Sequence, residues 1–320
     1  MLSLVLPLAA HFTPYLDAFR YLAACRVVEH GRGGDDELRL FSDEYAHHFT
    51  TPDHVHRAMD QGEQETMDLV ATRFLDDMIL LYVTKERSPY DQREYNQVVL
   101  VGDPFDTRPY RLNWPENTVI YLVADPVGQR EATAACQAAK LTVKRGCMLR
   151  RVDANLRDPE DRWYETLERS GFVGNRLSVW VIQGLVQLGF GETTDRDKGA
   201  KEDDEDRLLE MLFSEVADGA ARTSVVFADI PVMSDARALR ALSANNLLGG
   251  CLPLGAEDTN YGRIPDVYVR TIAAEPSRSQ RWLVCAEQQK TSLREMDDFY
   301  RYGSEMDDAG EDWDASWNVQ

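Results

Sequence analysis

The stretch VVLVGDPFDTRPYRL, residues 98–112, decides the fold. Its first four residues are all aliphatic and predict a buried strand, and the chain then turns at Gly102. A glycine directly after a buried strand is typical of a loop that opens a nucleotide or cofactor pocket. Here Asp103 and Pro104 follow, where such a loop needs bare backbone. The stretch is therefore either a working cofactor loop or the remains of one.

Short apolar runs repeat after this point and are separated by amphipathic stretches that have helical spacing. The runs are QVVLVGD, VIYLVAD, CMLRRVDA, LSVWVIQG and RTSVVFADI. Alternating strands and helices predict a doubly wound α/β sheet of mostly parallel strands. DVYVRTIAA and RWLVCAEQQ leave little room for a helix between them and predict an antiparallel hairpin at the sheet edge.

Three regions follow from these patterns. Residues 1–95 are predicted to form a helical N-terminal cap, because apolar residues recur there at spacings of three and four. Residues 96–290 form the α/β domain, and residues 291–320 an acidic C-terminal tail. The tail carries tyrosines and tryptophans within its acidic run, so it is either a helix folded back on the sheet or a docking segment for a basic partner.

Composition narrows the classes of function. A formal charge of -20 argues against nucleic acid and anionic membrane surfaces as partners. No run reaches the roughly 20 apolar residues of a membrane span, and the first ten residues do not resemble a retained targeting segment. Five scattered cysteines without a CxxC pair indicate a reducing compartment, which includes the cytosol, the plastid stroma and the mitochondrial matrix.

Four ordered motifs carry a family resemblance: RLFSDEYA, ATRFLDDM, the 98–112 stretch with its following NWP, and GNRLSVWVIQGL. Together they resemble the leucine carboxyl methyltransferase-like family of S-adenosylmethionine-dependent methyltransferases, over roughly residues 15–230. The resemblance implies a Rossmann-like methyltransferase fold with a seven-stranded, mostly parallel sheet, an antiparallel C-terminal hairpin and a helical cap. It also implies S-adenosylmethionine as cofactor and a carboxylate or hydroxyl as methyl acceptor.

The resemblance assigns cofactor-binding positions to eight residues of this chain: Arg73, Gly102, Asp106, Thr107, Arg108, Asp125, Asp153 and Gln183. Other family positions are changed. The second loop glycine is Pro104, the first arginine of the Arg-Thr-Arg motif is Ala71, and the strand-four glutamate is Gln183. Asp103 adds a negative charge to the loop, and Asp125 stands one position away from the family's acidic residue. Three lost contacts of about 1–1.5 kcal/mol each would weaken cofactor binding by roughly two to three orders of magnitude.

Two functions therefore remain open. The first is a degenerate methyltransferase that serves as a binding or assembly subunit of a larger complex, in a plastid or mitochondrion or in the cytoplasm. The second is an active O- or carboxyl methyltransferase with a modified cofactor loop. No catalytic residue is assigned by either interpretation, because methyl transfer from a sulfonium needs mainly in-line positioning of the acceptor.

Other polar residues have ordinary structural interpretations. His47, His48, His54 and His56 fit no zinc spacing, so no metal site is assigned. Asp76 and Asp77 lie about 100° apart on a predicted helix and are expected on a solvated face or at a cap. Asp229 is expected at a strand end, either beside an acceptor pocket or in a structural turn.

Overall fold

A computed structural model of the protein describes residues 14–32, 39–59, 63–84, 92–158, 160–190, 198–231, 235–254, 281–298 and 301. The α-helices in these ranges include α1 (Pro14–Gly31), α2 (Pro52–Ala58), α3 (Glu63–Val83), α4 (Arg108–Arg111), α5 (Pro126–Ala139), α6 (Trp163–Arg169), α7 (Lys198–Gly219) and α8 (Asp235–Ala244). A short 3-10 helix covers Ala46–Phe49. The strands are β1 (Gln97–Gly102), β2 (Val119–Ala124), β3 (Met148–Asp153), β4 (Ser178–Gln183), β5 (Val225–Pro231), β6 (Leu247–Pro253) and β7 (Arg281–Gln288).

The seven strands form one sheet in the order β3-β2-β1-β4-β5-β7-β6. The first five strands of the chain pair in parallel, and β7 pairs antiparallel with both β5 and β6. The strand order reverses between β1 and β4, so the switch point of the doubly wound sheet lies between these two strands. The predicted seven-stranded, mostly parallel fold is confirmed.

Helices cover both faces of the sheet, and each face has its own apolar cluster. On one face, α3 packs on alternate strand residues such as Leu100 and Val181. On the other face, α6 and α7 pack on residues such as Val99 and Trp180. Strands β1, β4 and β5 are buried along their whole length, which explains why their sequences are continuous apolar runs without alternation.

Most of the described residues before β1 are helical, as the apolar spacing predicts, because they belong to α1, α2 and α3. Helix α1 contacts the 3-10 helix, α2 and α3. Its apolar residues Leu16, Phe19 and Leu22 join the cluster that contains the ends of β1 and β4. The boundaries of the cap, the α/β domain and the tail remain predictions.

The predicted antiparallel C-terminal hairpin is confirmed, but only one of its two strands is a predicted one. RWLVCAEQ is β7, but its outer partner is β6, whose sequence LLGGCLP contains two glycines and gave no strand signal. A Cβ atom on Gly249 would lie 2.0 Å from the carbonyl oxygen of Cys285, so this strand pairing requires a glycine. The predicted strand DVYVRTIAA and residues 302–320 of the tail lie outside the described residues.

Candidate cofactor site

The candidate site lies at the carboxyl ends of β1 and β4, beside the switch point. Gly102 ends β1 with φ +117, and a Cβ atom there would lie 2.0 Å from the carbonyl oxygen of Gln183. Gln183 is paired with Gly102 at the end of β4. The glycine is therefore required by the close approach of the two strands, and a ligand above the sheet would meet both residues.

The loop after Gly102 is held from within the protein. Asp103 is buried and accepts a 2.8 Å hydrogen bond from Arg26 of α1 and another from the backbone N–H of Phe105. Arg26 also donates to the carbonyl of Phe105 at 2.9 Å. Burial raises the pKa of Asp103, and the nearby Asp106 adds to this rise, although Arg26 opposes it. The charge that Asp103 brings to the loop is therefore compensated by an arginine of the chain itself.

Asp106, Arg108 and Gln183 form a second buried group. Arg108 donates to Asp106 through its backbone N–H at 2.8 Å and through Nη1 at 2.7 Å, and its Nη2 donates to Gln183 at 2.6 Å. Nε of Arg108 binds Asp76 of α3 at 2.7 Å. Burial works to raise the pKa of Asp106, but the charges of Arg108 and Arg26 outweigh it, so this pKa lies below its usual value. Nε2 of Gln183 donates to the Thr72 hydroxyl at 2.8 Å, so both the oxygen and the nitrogen of the side-chain amide are hydrogen-bonded.

Thr107, between Asp106 and Arg108, connects this group to the segment before the 3-10 helix. Its hydroxyl donates to Asp43 at 2.5 Å, and Asp43 also accepts the backbone N–H groups of Tyr45 and Ala46. Arg111 binds Asp76 at 2.8 Å. The buried group as a whole contains three arginines and four aspartates, namely Arg26, Arg108, Arg111, Asp43, Asp76, Asp103 and Asp106.

Apolar side chains lie against the glycine backbone around this network. A Cβ atom on Gly128, in the first turn of α5, would lie 2.6 Å from Pro104 and 3.1 Å from Leu16. A Cβ atom on Gly184, directly after β4, would lie 2.6 Å from the ring of Phe19. Bare backbone at both places is therefore in contact with the chain's own side chains.

Of the other predicted site residues, Asp125 is the N-cap of α5. Its carboxylate accepts the N–H groups of Val127 and Gly128. Burial raises the pKa of Tyr15, and the hydrogen bond from its hydroxyl to Asp125 raises it further. Asp125 therefore holds α1 to the start of α5.

The remaining two predicted residues lie at the margins of the network. Asp153 ends β3 opposite Ala124 and is exposed. Arg73 donates to Asp77 at 3.0 Å and to the carbonyl of Leu40 at 2.7 Å. The structure thus brings Asp106, Thr107, Arg108 and Gln183 together in one network beside Gly102. Arg73, in contrast, connects α3 to the segment before the 3-10 helix.

Two expectations about aspartates need correction. Asp76 does not lie on a solvated face, because it is buried and bonded to two arginines, whereas its neighbour Asp77 pairs with Arg73. Asp229 is not in a turn, since it lies within β5, where it is buried and pairs with Arg281. In both cases a buried arginine from a distant segment replaces solvent as the partner.

Sequence reasoning missed Phe19, Arg26, Asp43, Thr72 and Arg111. A signal was present for some of them. Asp43 and Arg111 lie inside motifs that carry the family resemblance, and Thr72 follows Asp68 and precedes Asp76 at the four-residue spacing of one helix face. Arg26 lies on the same face of α1 as the apolar Phe19, so helical periodicity predicts that it is buried.

Neither a metal cluster nor a membrane-spanning helix is present among the residues that the structure describes. No three His, Cys, Asp or Glu residues there are placed to hold a metal ion. His54 is bonded to Asp17 and Thr51, and it fastens α2 to α1. Among the helices in these ranges, none is both long and apolar enough to cross a bilayer.

The sequence of this chain matches a known protein family. Residues 21–188, more than half of the chain, match the family model described as leucine carboxyl methyltransferase. The topology and the match define a protein of the S-adenosylmethionine-dependent methyltransferase class. More particularly, the chain belongs to the leucine carboxyl methyltransferase family. Family membership indicates S-adenosylmethionine as the cofactor.

The similar proteins are distant from this chain. "O-methyltransferase 1, chloroplastic" from Oryza sativa subsp. japonica is 31% identical over 126 residues, which are 39% of this chain and 32% of the rice protein. "Putative S-adenosyl-L-methionine-dependent methyltransferase" from Mycolicibacterium paratuberculosis is 28% identical over 194 residues, 60% of this chain and 54% of that protein. The chain thus matches between about a third and about half of the length of these relatives. The solved CurJ carbon methyltransferase has 11% identity and a TM-score of 0.42, over 86% of this chain and 68% of its own, which is too low to carry an argument.

Proposed function

We propose that this chain is a methyltransferase-like protein with an eroded cofactor pocket, which acts as a non-catalytic binding or assembly subunit of a larger complex. The observation that carries the proposal is the contact of Phe19 with Gly184 and of Pro104 with Gly128. A methyltransferase loop uses glycines so that the cofactor can approach the backbone. Here the side chains of Phe19 and Pro104 contact the glycine backbone that a cofactor would otherwise approach.

The polar groups at the site support the same proposal. Gln183 and Asp125, which the family resemblance assigns to the cofactor, already have partners within the chain. A ligand would have to displace these hydrogen bonds, which reduces the net gain from each contact that it makes. Ala71 of α3 is fully buried in an apolar cluster. It takes the position at which the family resemblance places an arginine that binds the cofactor carboxylate.

The alternative is an active O- or carboxyl methyltransferase with a modified loop. The buried network favours it in one respect: three arginines and four aspartates leave one negative charge if all are ionised, and S-adenosylmethionine is a cationic ligand. Phe19 and α1 would then have to move before the cofactor could enter. This requirement makes the two functions separable by experiment.

The test is calorimetric titration of the unaltered protein with S-adenosylmethionine, beside a Phe19→Ala, Pro104→Gly double variant. We expect no binding by the unaltered protein at micromolar concentration and measurable binding by the double variant, because both substitutions free the glycine backbone. Phe172→Ala is the control, since it removes a buried ring that packs against Tyr121 and Trp180 instead. Circular dichroism checks that each variant is folded.

Each result decides between the functions. Micromolar binding by the unaltered protein would overturn the non-catalytic proposal and support the active methyltransferase. Binding that is gained only by the double variant supports erosion of the pocket by these side chains. If the folded double variant also fails to bind, the pocket is lost for reasons other than Phe19 and Pro104.

The assembly role is proposed to involve the acidic, aromatic-bearing segment 302–320 and a basic protein partner. This segment contains six Asp and Glu residues and no Lys or Arg. Acidic charge steers association with a basic surface, and aromatic side chains supply contact area at the centre of an interface. A plastid is the favoured compartment, because the rice relative is named chloroplastic.

A further inference from the structure

A cavity away from the cofactor site lies between helix α5 and the edge strand β3. Its volume is about 290 Å³, just below the range of typical small-molecule sites, roughly 300–1,000 Å³. Residues of α5, of the segment after it and of β3 line the cavity, among them Cys136, Lys140, Leu141, Leu149 and Arg151.

The chain around this cavity has the opposite charge to the rest of the protein. Residues 132–152 contain five Lys and Arg and no Asp or Glu, although the whole chain has a formal charge of -20. Two of the five basic residues, Lys140 and Arg151, line the cavity itself. A concentration of one charge in a concave site raises the local concentration of ligands of the opposite charge. The cavity therefore favours an anion.

Arg151 is the more informative of the two, because it is half-buried and its partners are neutral. Its Nη1 donates to the side-chain oxygen of Gln129 at 2.8 Å and to the carbonyl of Pro104 at 3.3 Å. Its Nη2 reaches the hydroxyl of Tyr110 and the sulfur of Cys136, each at 3.4 Å. In the part of the chain that the structure describes, none of these partners is a carboxylate.

A half-buried guanidinium usually has an acidic partner, since removing a charge from water is costly unless it is paired. The Gln129 bond fixes the orientation of Arg151, whereas the 3.4 Å contact with the Tyr110 hydroxyl is longer than an ordinary hydrogen bond. The other contact of Nη2 is with the Cys136 sulfur, which is a weak acceptor. Nη2 can therefore bind a carboxylate oxygen in exchange for two weak contacts. Arginine is well suited to carboxylates because its planar fork matches their geometry.

The apolar part of the wall indicates the remainder of the ligand. Leu141 and Leu149 line the cavity together with the buried thiol of Cys136. These groups would accept a short hydrocarbon chain, since burying it removes apolar surface from water. We propose that the cavity between α5 and β3 binds a small organic carboxylate with a short apolar chain, held by Arg151 and Lys140. This proposal is independent of whether S-adenosylmethionine binds.

Cys136 provides the measurement. It is 9% exposed and lines the cavity, so its slow alkylation reports access through the cavity, which a bound ligand would block. The full-length protein is treated with iodoacetamide, and alkylation of Cys136 is followed by peptide mass spectrometry with rising hexanoate. Hexanamide, the uncharged counterpart, is the matched control, and alkylation of Cys147 in the same digest is the internal reference. We expect hexanoate to slow alkylation of Cys136 along a saturation curve, by about tenfold or more when the site is full, and hexanamide to have little effect.

Two variants assign the effect to the charges. Arg151→Gln and Lys140→Gln should each weaken protection by hexanoate, the first by about tenfold, since it removes the fixed charge. Lys140 is exposed, so its variant tests the charge without disturbing the interior. Equal protection by hexanoate and hexanamide would overturn the proposal, as would no protection by either compound. Full protection that persists in both folded variants would also contradict it.

Discussion

At the scale of single residues, the most unusual feature is a set of charges buried beside the β1 loop. Arg26 is 2% exposed and lies within the apolar face of α1, yet it bonds Asp103 and the carbonyl of Phe105. Asp103 is thus part of a structural ion pair in this protein. A buried ion pair adds little stability compared with apolar residues of the same size, but losing one partner leaves an uncompensated buried charge.

This argument predicts the effect of replacing Arg26. Arg26→Met should lower the free energy of unfolding by about 3–5 kcal/mol, because Asp103 loses its cationic partner in the interior. Chemical denaturation monitored by circular dichroism measures the loss. Arg57→Met is the control, since the Arg57 side chain is 56% exposed and pairs with Asp17 at the surface, and its effect should be below about 1 kcal/mol.

A second variant tests the pairing itself. Arg26→Met combined with Asp103→Ala removes both charges and should recover much of the lost stability. Equal destabilisation by the Arg26 single variant and by this double variant would show that Arg26 acts through packing and not through its ion pair with Asp103.

At the scale of elements, the junction of β1 and β4 determines the shape of the site. The two strands pair along their whole length, from Gln97 with Ser178 to Gly102 with Gln183. Helix α1 then closes over their carboxyl ends, where Phe19 contacts Gly184. The proposal of an eroded pocket rests on this contact, because a doubly wound sheet binds its ligand at the carboxyl ends of its strands.

The junction predicts a strong effect of a single methyl group. Gly102→Ala should destabilise the protein by about 2–4 kcal/mol, because its Cβ would overlap the carbonyl of Gln183 and because φ is positive. The free energy of unfolding in urea measures it. Gly31→Ala is the control, since a Cβ there has no atom within 4 Å. A loss of stability as small as that of the control would mean that β1 and β4 can separate at this point without cost.

At the scale of the whole molecule, charge is distributed unevenly. The chain is strongly acidic, its last 19 residues are acidic without any basic residue, and residues 132–152 are basic without any acidic one. Long-range fields of this kind affect solubility and association and do not determine the fold. The acidic segment and the basic cavity region are therefore expected to select different partners.

The acidic segment leads to a prediction about assembly. In extracts of cells that make this protein, the full-length chain should elute from a sizing column within a larger complex, and a chain that ends at Arg301 should elute as a smaller species. Raising the salt to about 0.5 M should release the full-length chain as well, because screening weakens exposed charge contacts. Co-elution of the truncated chain with the same large complex would assign the interface to another surface.

Local sequence patterns predicted the sheet and the helices around it, and they indicated a candidate site after β1. Strand and helix periodicity are local properties, and Gly102 after a buried run marks the switch point because only glycine allows the backbone conformation found there. The five parallel strands that were predicted from apolar runs are all present. Strand β6 was missed, because two glycines remove the side chains from which the period of a strand is recognised.

Which groups face one another depends on packing between segments that are distant in the sequence. Arg26 and Asp103 are separated by 77 positions, and Thr72 and Gln183 by 111 positions, so no local pattern predicts that they meet. The burial of Asp76 and the contact of Phe19 with Gly184 likewise depend on how α3 and α1 pack on the sheet. Periodicity indicates which face of an element is buried, whereas the identity of its neighbours is fixed by packing across the whole chain.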